Sequence, residues 1–175
     1  QPLRQCAQLS YGSYDTAAAQ YQLQYGRKKW RLQASVSGNY AQNDYPYPLD
    51  AAKNENGQYR NVGANLALGY EISARNVVKF HFRNYESERH FSLISPTDNK
   101  TKYAEENRWS LLEWAHIGQK FNARTKVAWL TEQYRFYENT DLRDYSTGRA
   151  QTLTTRYEPA YNIDETLHLS GSVEY

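Results

Sequence analysis

Successive side chains of a β-strand point to opposite faces, so an apolar/polar period of two marks a strand with one dry and one wet side. This chain keeps that period almost throughout. Trp30, Leu32, Ala34, Val36 and Tyr40 alternate with Arg31, Gln33, Ser35, Ser37 and Asn39. Val62, Ala64, Leu66, Leu68, Tyr70 and Ile72 alternate with Asn61, Gly63, Asn65, Ala67, Gly69 and Glu71. Val78, Phe80 and Phe82 alternate with Lys79, His81 and Arg83. A helix would need its apolar residues at three- and four-residue spacing. The stretch from Leu3 to Tyr14 is weaker, and Trp109 to His116 is ambiguous in phase, with room for a turn or two of helix.

Nine strands are predicted, at about 3–14, 16–26, 29–42, 58–73, 76–91, 103–118, 120–137, 148–161 and 165–175. Most exceed the roughly 5–6 residues of a common soluble strand and reach the roughly 9–11 that cross a bilayer when tilted. The links alternate in length. Short turns fall at Gly26–Lys29, Ser73–Asn76, Gly118–Asn122 and Asn162–Glu165, and long links at Gln42–Gly57, Ser92–Lys102 and Glu138–Thr147. Short turns on one rim and long loops on the other characterise outer-membrane barrels. The link Gly12–Thr16 is short although it belongs to the long-loop rim.

Composition narrows the choice. A mean hydropathy of −0.94 suits a disordered chain, but 17 Tyr, 4 Trp and 5 Phe do not. No apolar run reaches the roughly 18 residues of a spanning helix, a test that leaves a membrane barrel untouched. A net charge of +2 leaves no footprint for nucleic acid. Cys6, the single cysteine, makes no internal disulfide. The chain opens on Gln1 and contains no Met, which suggests a processed form or an excerpt. Tyr11, Tyr14, Tyr25, Trp30, Tyr40, Tyr70, Tyr85, Phe121, Tyr157 and Tyr161 lie near strand ends, where interfacial girdles form.

Chemistry-bearing motifs are sparse. His81, His90, His116 and His168 lack a second ligand at metal spacing, so no metal and no cofactor is expected. Neither a nucleophile elbow nor a phosphate loop is present, and no enzymatic activity is expected. Arg27, Lys28 and Lys29 form a basic run that reads as a solvated turn. Glu86, Glu88, Arg89 and His90 read as a charged strand end. Tyr45-Pro-Tyr-Pro is a stiff aromatic loop element. Tyr45, Tyr47, Arg89 and His90 are the candidates for touching a small-molecule ligand, because loops on a rigid scaffold carry function.

Tyr11-Gly-Ser-Tyr-Asp-Thr, Gly26-Arg-Lys-Lys and Trp30-Arg-Leu-Gln-Ala-Ser-Val-Ser-Gly-Asn-Tyr resemble the opening of a TonB-dependent outer-membrane transporter barrel. Asn43-Asp-Tyr-Pro-Tyr, Arg89-His-Phe-Ser-Leu and Lys100-Thr-Lys-Tyr are similar to loop segments of relatives in the Bacteroidetes lineage. The resemblance implies a barrel of about 22 strands closed by an N-terminal plug domain. It implies uptake of a ferric siderophore, haem, cobalamin or glycan, powered through TonB. Residues 1–175 would be one barrel segment, without the plug, in a bacterial outer membrane. Its partners would be outer-membrane lipid, the remaining strands, the plug, and TonB through the plug. The fold expected is all-β, an antiparallel up-and-down transmembrane barrel or a sector of a larger one. Two alternatives stand beside it. One is a complete small barrel of about eight strands with a structural or adhesive role, suggested by the alternation of Leu167, Leu169, Val173 and Tyr175. The other is a soluble lipocalin-like barrel, whose interior should be apolar.

Overall fold

The computed structural model describes residues 3–48, 52–92, 100–164 and 166–175. The order is β1 (Leu3–Gly12), β2 (Thr16–Arg27), β3 (Trp30–Ala41), β4 (Tyr59–Ser73), β5 (Asn76–His90), β6 (Lys102–Ile117), β7 (Phe121–Tyr137), β8 (Ser146–Asn162), β9 (His168–Ser170) and β10 (Val173–Glu174). Each strand pairs antiparallel with the next, so the chain forms an up-and-down sheet with no helix among the described residues. The sheet does not close. β1 pairs only with β2, and the far edge is β8 with β9 and β10 against it.

β9 and β10 are one strand with a break. Ser170 faces Ala160 and Val173 faces Tyr157, which is a single continuous register. The Gly171 amide donates to the Pro159 carbonyl at 3.1 Å. Pro159 has no N–H to return the bond, so the ladder opens opposite it. The uninterrupted strand expected over 165–175 is corrected accordingly. The stretch Trp109–His116 is strand throughout. Leu111 and Leu112 are both apolar, which blurs its phase in sequence, but β5 and β7 pair with it on both sides.

Register turns alternation into faces. Val36, Leu66, Phe80, Val127 and Leu169 share one face, and Gln33, Asn65, His81, Lys126 and His168 share the other. Register also aligns the apolar residues across strands. Leu66, Phe82, Ser110, Trp129 and Leu153 form one row of partners. Two residues toward the long loops the row becomes Ala64, Asn84, Arg108, Thr131 and Gln151. The apolar face therefore ends along a line on β5–β8. Beyond that line both faces are polar. On β7 the apolar stretch Phe121–Trp129 spans about 27 Å along the strand, or about 20 Å in height at the tilt of a barrel strand.

Among the described residues no packed core lies behind either face. The buried apolar residues among those described are Ala41, Tyr47, Ala104 and Ala123. Leu112, Trp114, Trp129, Leu153 and Leu169 are exposed. The accessible surface is 12672 Å². A compact monomer of 20.5 kDa would expose roughly 8,900 Å². A single-layer sheet with both faces bare accounts for the excess. Tyr11, Tyr25, Trp30, Tyr40, Tyr70, Phe121, Tyr157 and Tyr161 lie on the apolar face, but Tyr85 lies on the polar one. Tyr14 sits in the β1–β2 turn with a positive φ of 57°.

Candidate functional site

The long-loop end of the polar face carries the densest chemistry. Tyr59, Arg89 and Tyr103 are direct partners across β4, β5 and β6. The Arg89 guanidinium lies over the Tyr59 ring, 5.3 Å from its centre. The Asn61 amide donates to the Tyr59 hydroxyl. Tyr103 stacks on Tyr134 with ring centres 6.0 Å apart and planes 17° from parallel. A cavity of about 460 Å³ opens there, lined by Tyr103, Glu105, Asn107, Glu132 and Tyr134. The Ser87 hydroxyl donates to Glu105 at 3.0 Å. Burial first, then the hydrogen bond to Tyr59, raises the Tyr85 phenol above its usual range. Gly148 leaves room for this stack, because a Cβ there would lie 2.3 Å from the Tyr134 ring and displace it.

A second hollow of about 450 Å³ lies lower on the same face. Gln22, Gln24, Gln33, Asn65, Arg83 and Trp109 line it, with His81 6.4 Å from the Trp109 ring centre. It offers amides, one guanidinium and one indole. Among the described residues no group of three or more His, Cys, Asp or Glu is placed to hold a metal ion.

The loop after β3 is a folded unit docked on the end of β5. Its described residues are 42–48 and 52–58. Pro46 bridges Lys53, Tyr47 N donates to Ala52 O at 3.0 Å, and Asn54 N donates to Tyr45 O at 3.0 Å. Asn54 is 2% exposed, and its amide donates to Asn43 O at 2.8 Å. Asn43 in turn donates to Gly57 O at 2.8 Å. Asn56 donates to Phe91 O and Thr101 O at 3.0 and 3.1 Å. That fixes its amide orientation, so its Oδ1 accepts from His90 Nδ1 at 2.8 Å. Burial, then Lys102, lowers the His90 pKa, and Glu88 opposes this in part. Arg60 holds the Glu88 carboxyl below its usual range.

These contacts sort the four residues picked from sequence. Arg89 is exposed and faces the polar side beside Tyr59. His90, of opposite parity, is held under the loop by Asn56. Tyr45 is half-buried, its hydroxyl 3.1 Å from Ser92 Oγ and its ring edge-on to Tyr14. Tyr47 is buried at 8% exposure and packs edge-on to Tyr45, so it shapes the loop from inside. The long links 42–57 and 92–102 meet in their described parts, through Asn56 and Tyr45. Most of the 92–102 link lies outside the described residues.

Tyr59, Tyr103 and Tyr134 were not among the sequence candidates. Their signal was legible: each is an aromatic at a position of polar phase. On this face they find one another and a cation: Tyr103 stacks on Tyr134, and Arg89 lies over Tyr59. No family model matches the chain, and no curated protein matches it.

Proposed function

We propose that this chain is a wall segment of an outer-membrane TonB-dependent receptor that takes up a small ligand of the siderophore, haem or cobalamin class. The observation that carries the reading is the alignment of apolar side chains into a band on one face of an open, coreless sheet. An exposed apolar band about 20 Å high suits lipid and little else. The opposite face, wet and of mixed charge, suits a lumen. A lipocalin-like interior would be apolar. A closed eight-stranded barrel needs β1 to bond β8, whereas that edge of β8 carries β9 and β10. Open edges cannot face hydrocarbon, so further strands are the natural partners, and the resemblance adds a plug domain.

The ligand surface is the upper polar face around Tyr59, Arg89, Tyr103 and Tyr134, bordered by the docked 42–58 loop. Capture there would precede uptake powered through TonB. Four tryptophans provide the test. Trp30, Trp114 and Trp129 share the apolar face, and Trp109 lies on the polar face. In the intact natural polypeptide reduced to single-tryptophan forms, lipids brominated in the acyl chain should quench Trp114 and Trp129 and spare Trp109. Equal quenching of Trp109 and Trp114 would refute the assignment of faces. For the ligand, Arg89→Gln with Tyr103→Ala should abolish growth on the cognate iron or cobalamin source while assembly persists.

A further inference from the structure

The topology gathers on one rim a set of cations that lie far apart in sequence. Arg27 ends β2, Lys28 and Lys29 form the β2–β3 turn, Arg75 lies in the β4–β5 turn and Lys120 in the β6–β7 turn. In an up-and-down sheet these turns share an edge, and neighbouring ones touch: Lys29 Nζ donates to Ile72 O at 3.1 Å. All five side chains are exposed, and none has a carboxylate partner among the described residues. On the opposite rim cations and carboxylates are mixed: Lys53 pairs with Asp44 at 2.9 Å, Arg60 with Glu88 at 2.9 Å and Lys100 with Asp141, while Arg143 has no ion-pair partner among the described residues. The link after β8 is the acidic exception on the basic rim, with Asp164 engaged by the Thr166 and Leu167 amides.

Directly inside the basic rim the apolar face begins with Trp30, Tyr70, Trp114 and Phe121. The Trp30 and Tyr70 rings lie 4.4 Å apart between centres. Apolar band, aromatic row and unpaired cations thus follow one another in the order of hydrocarbon, interface and phosphate. We infer that the short-turn rim binds the phosphates of anionic phospholipids in the leaflet it faces. This rests on the membrane reading above and adds a lipid preference to it. Each cation near an anionic surface multiplies affinity roughly fivefold at low salt, and the gain fades as salt rises.

The test uses the intact natural polypeptide in neutral detergent, with equal amounts of dioleoyl-phosphatidylglycerol and dioleoyl-phosphatidylcholine. Lipids retained are counted by native mass spectrometry. Lys28 has a φ of 51°, so it is changed to Asn, which tolerates that geometry. The variant Arg27→Gln, Lys28→Asn, Lys29→Gln should lower the ratio of bound phosphatidylglycerol to phosphatidylcholine by roughly fivefold or more. Adding Arg75→Gln and Lys120→Gln should bring the ratio to parity. Arg135→Gln with Arg149→Gln, on the far half of β7 and β8, should leave it unchanged. An unchanged ratio in the five-site variant, equal loss in the control pair, or equal displacement by inorganic phosphate would each overturn the inference. Quenching of Trp114 by brominated lipid separates the two proposals. Quenching without lipid preference sinks this one alone, and absent quenching sinks the membrane reading.

Discussion

Gly57 sets the packing of the loop on β5, and adding one methyl there tests the account of that loop. A Cβ at Gly57 would lie 2.1 Å from Asn54 Nδ2, 2.8 Å from Asn43 O and 3.0 Å from Asn43 Cβ. The Asn54 side chain must leave, and it is the one that donates to Asn43 O and accepts from Asn56 N at 3.2 Å. Two hydrogen bonds at about 0.5–1.5 kcal/mol each are lost, and the vacated groups are partly buried. Gly57→Ala should therefore weaken the docked loop by about 1–3 kcal/mol. The sheet does not depend on the loop, so the loss should be local. Hydrogen exchange followed by mass spectrometry should show 10- to 100-fold faster exchange at Tyr47, Asn54 and Asn56, with β4 and β5 unchanged. Asn54→Ala should cost a similar amount alone. In its background Gly57→Ala should cost less, because the nearest clash is gone, although the contact with Asn43 remains. Strict additivity of the two changes, or exchange that quickens equally in the strands, would refute the reasoning.

Other outcomes follow from the faces and the charges. Phe80→Arg or Leu66→Arg should cost about 2–4 kcal/mol of membrane assembly, read from urea titration of folded protein in lipid, while His81→Arg should assemble normally. A lowered His90 pKa means that the released loop binds more protons than the docked one. Docking should be fully present above about pH 6.5 and weaken as pH falls through that value, seen as lost exchange protection in 42–58. His90→Gln should remove that dependence. Glu88, whose carboxyl Arg60 holds below its usual range across β4 and β5, should add to the pairing of those strands rather than to docking, a contribution lost as pH falls below about 4.5. Gly148→Ala should push Tyr134 off Tyr103 and weaken ligand binding without loss of assembly, measured by tryptophan or ligand fluorescence.

The sheet was legible in sequence because strand phase is local information. Trp30–Tyr40 and Val62–Ile72 carry it without help from neighbours. The end of the apolar band was not legible, since it exists only once Phe82, Ser110, Trp129 and Leu153 are set side by side. Pro159 was visible, but its effect depends on which edge its nitrogen faces. The polar-face aromatics could have been found by asking which rings break phase. The loop lock could not, because Asn54 reaches Asn43 across 11 residues of chain, and Asn56 reaches His90 across 34 and Thr101 across 45. The burial of Tyr47, a candidate for touching ligand, was hidden for the same reason.

β7 runs eight residues past Trp129 to Tyr137, and β6 and β8 keep pace, still fully laddered. That extension is about 27 Å long, as much as the apolar stretch itself. In lipid it would stand clear of the bilayer as a stiff collar, anchored below and crosslinked by backbone hydrogen bonds along its height. A collar of this kind holds the mouth to one diameter whatever the surrounding lipid does. On the function proposed above, movement on ligand arrival would be left to the loops that crown it, with the strands as the stator against which those loops work.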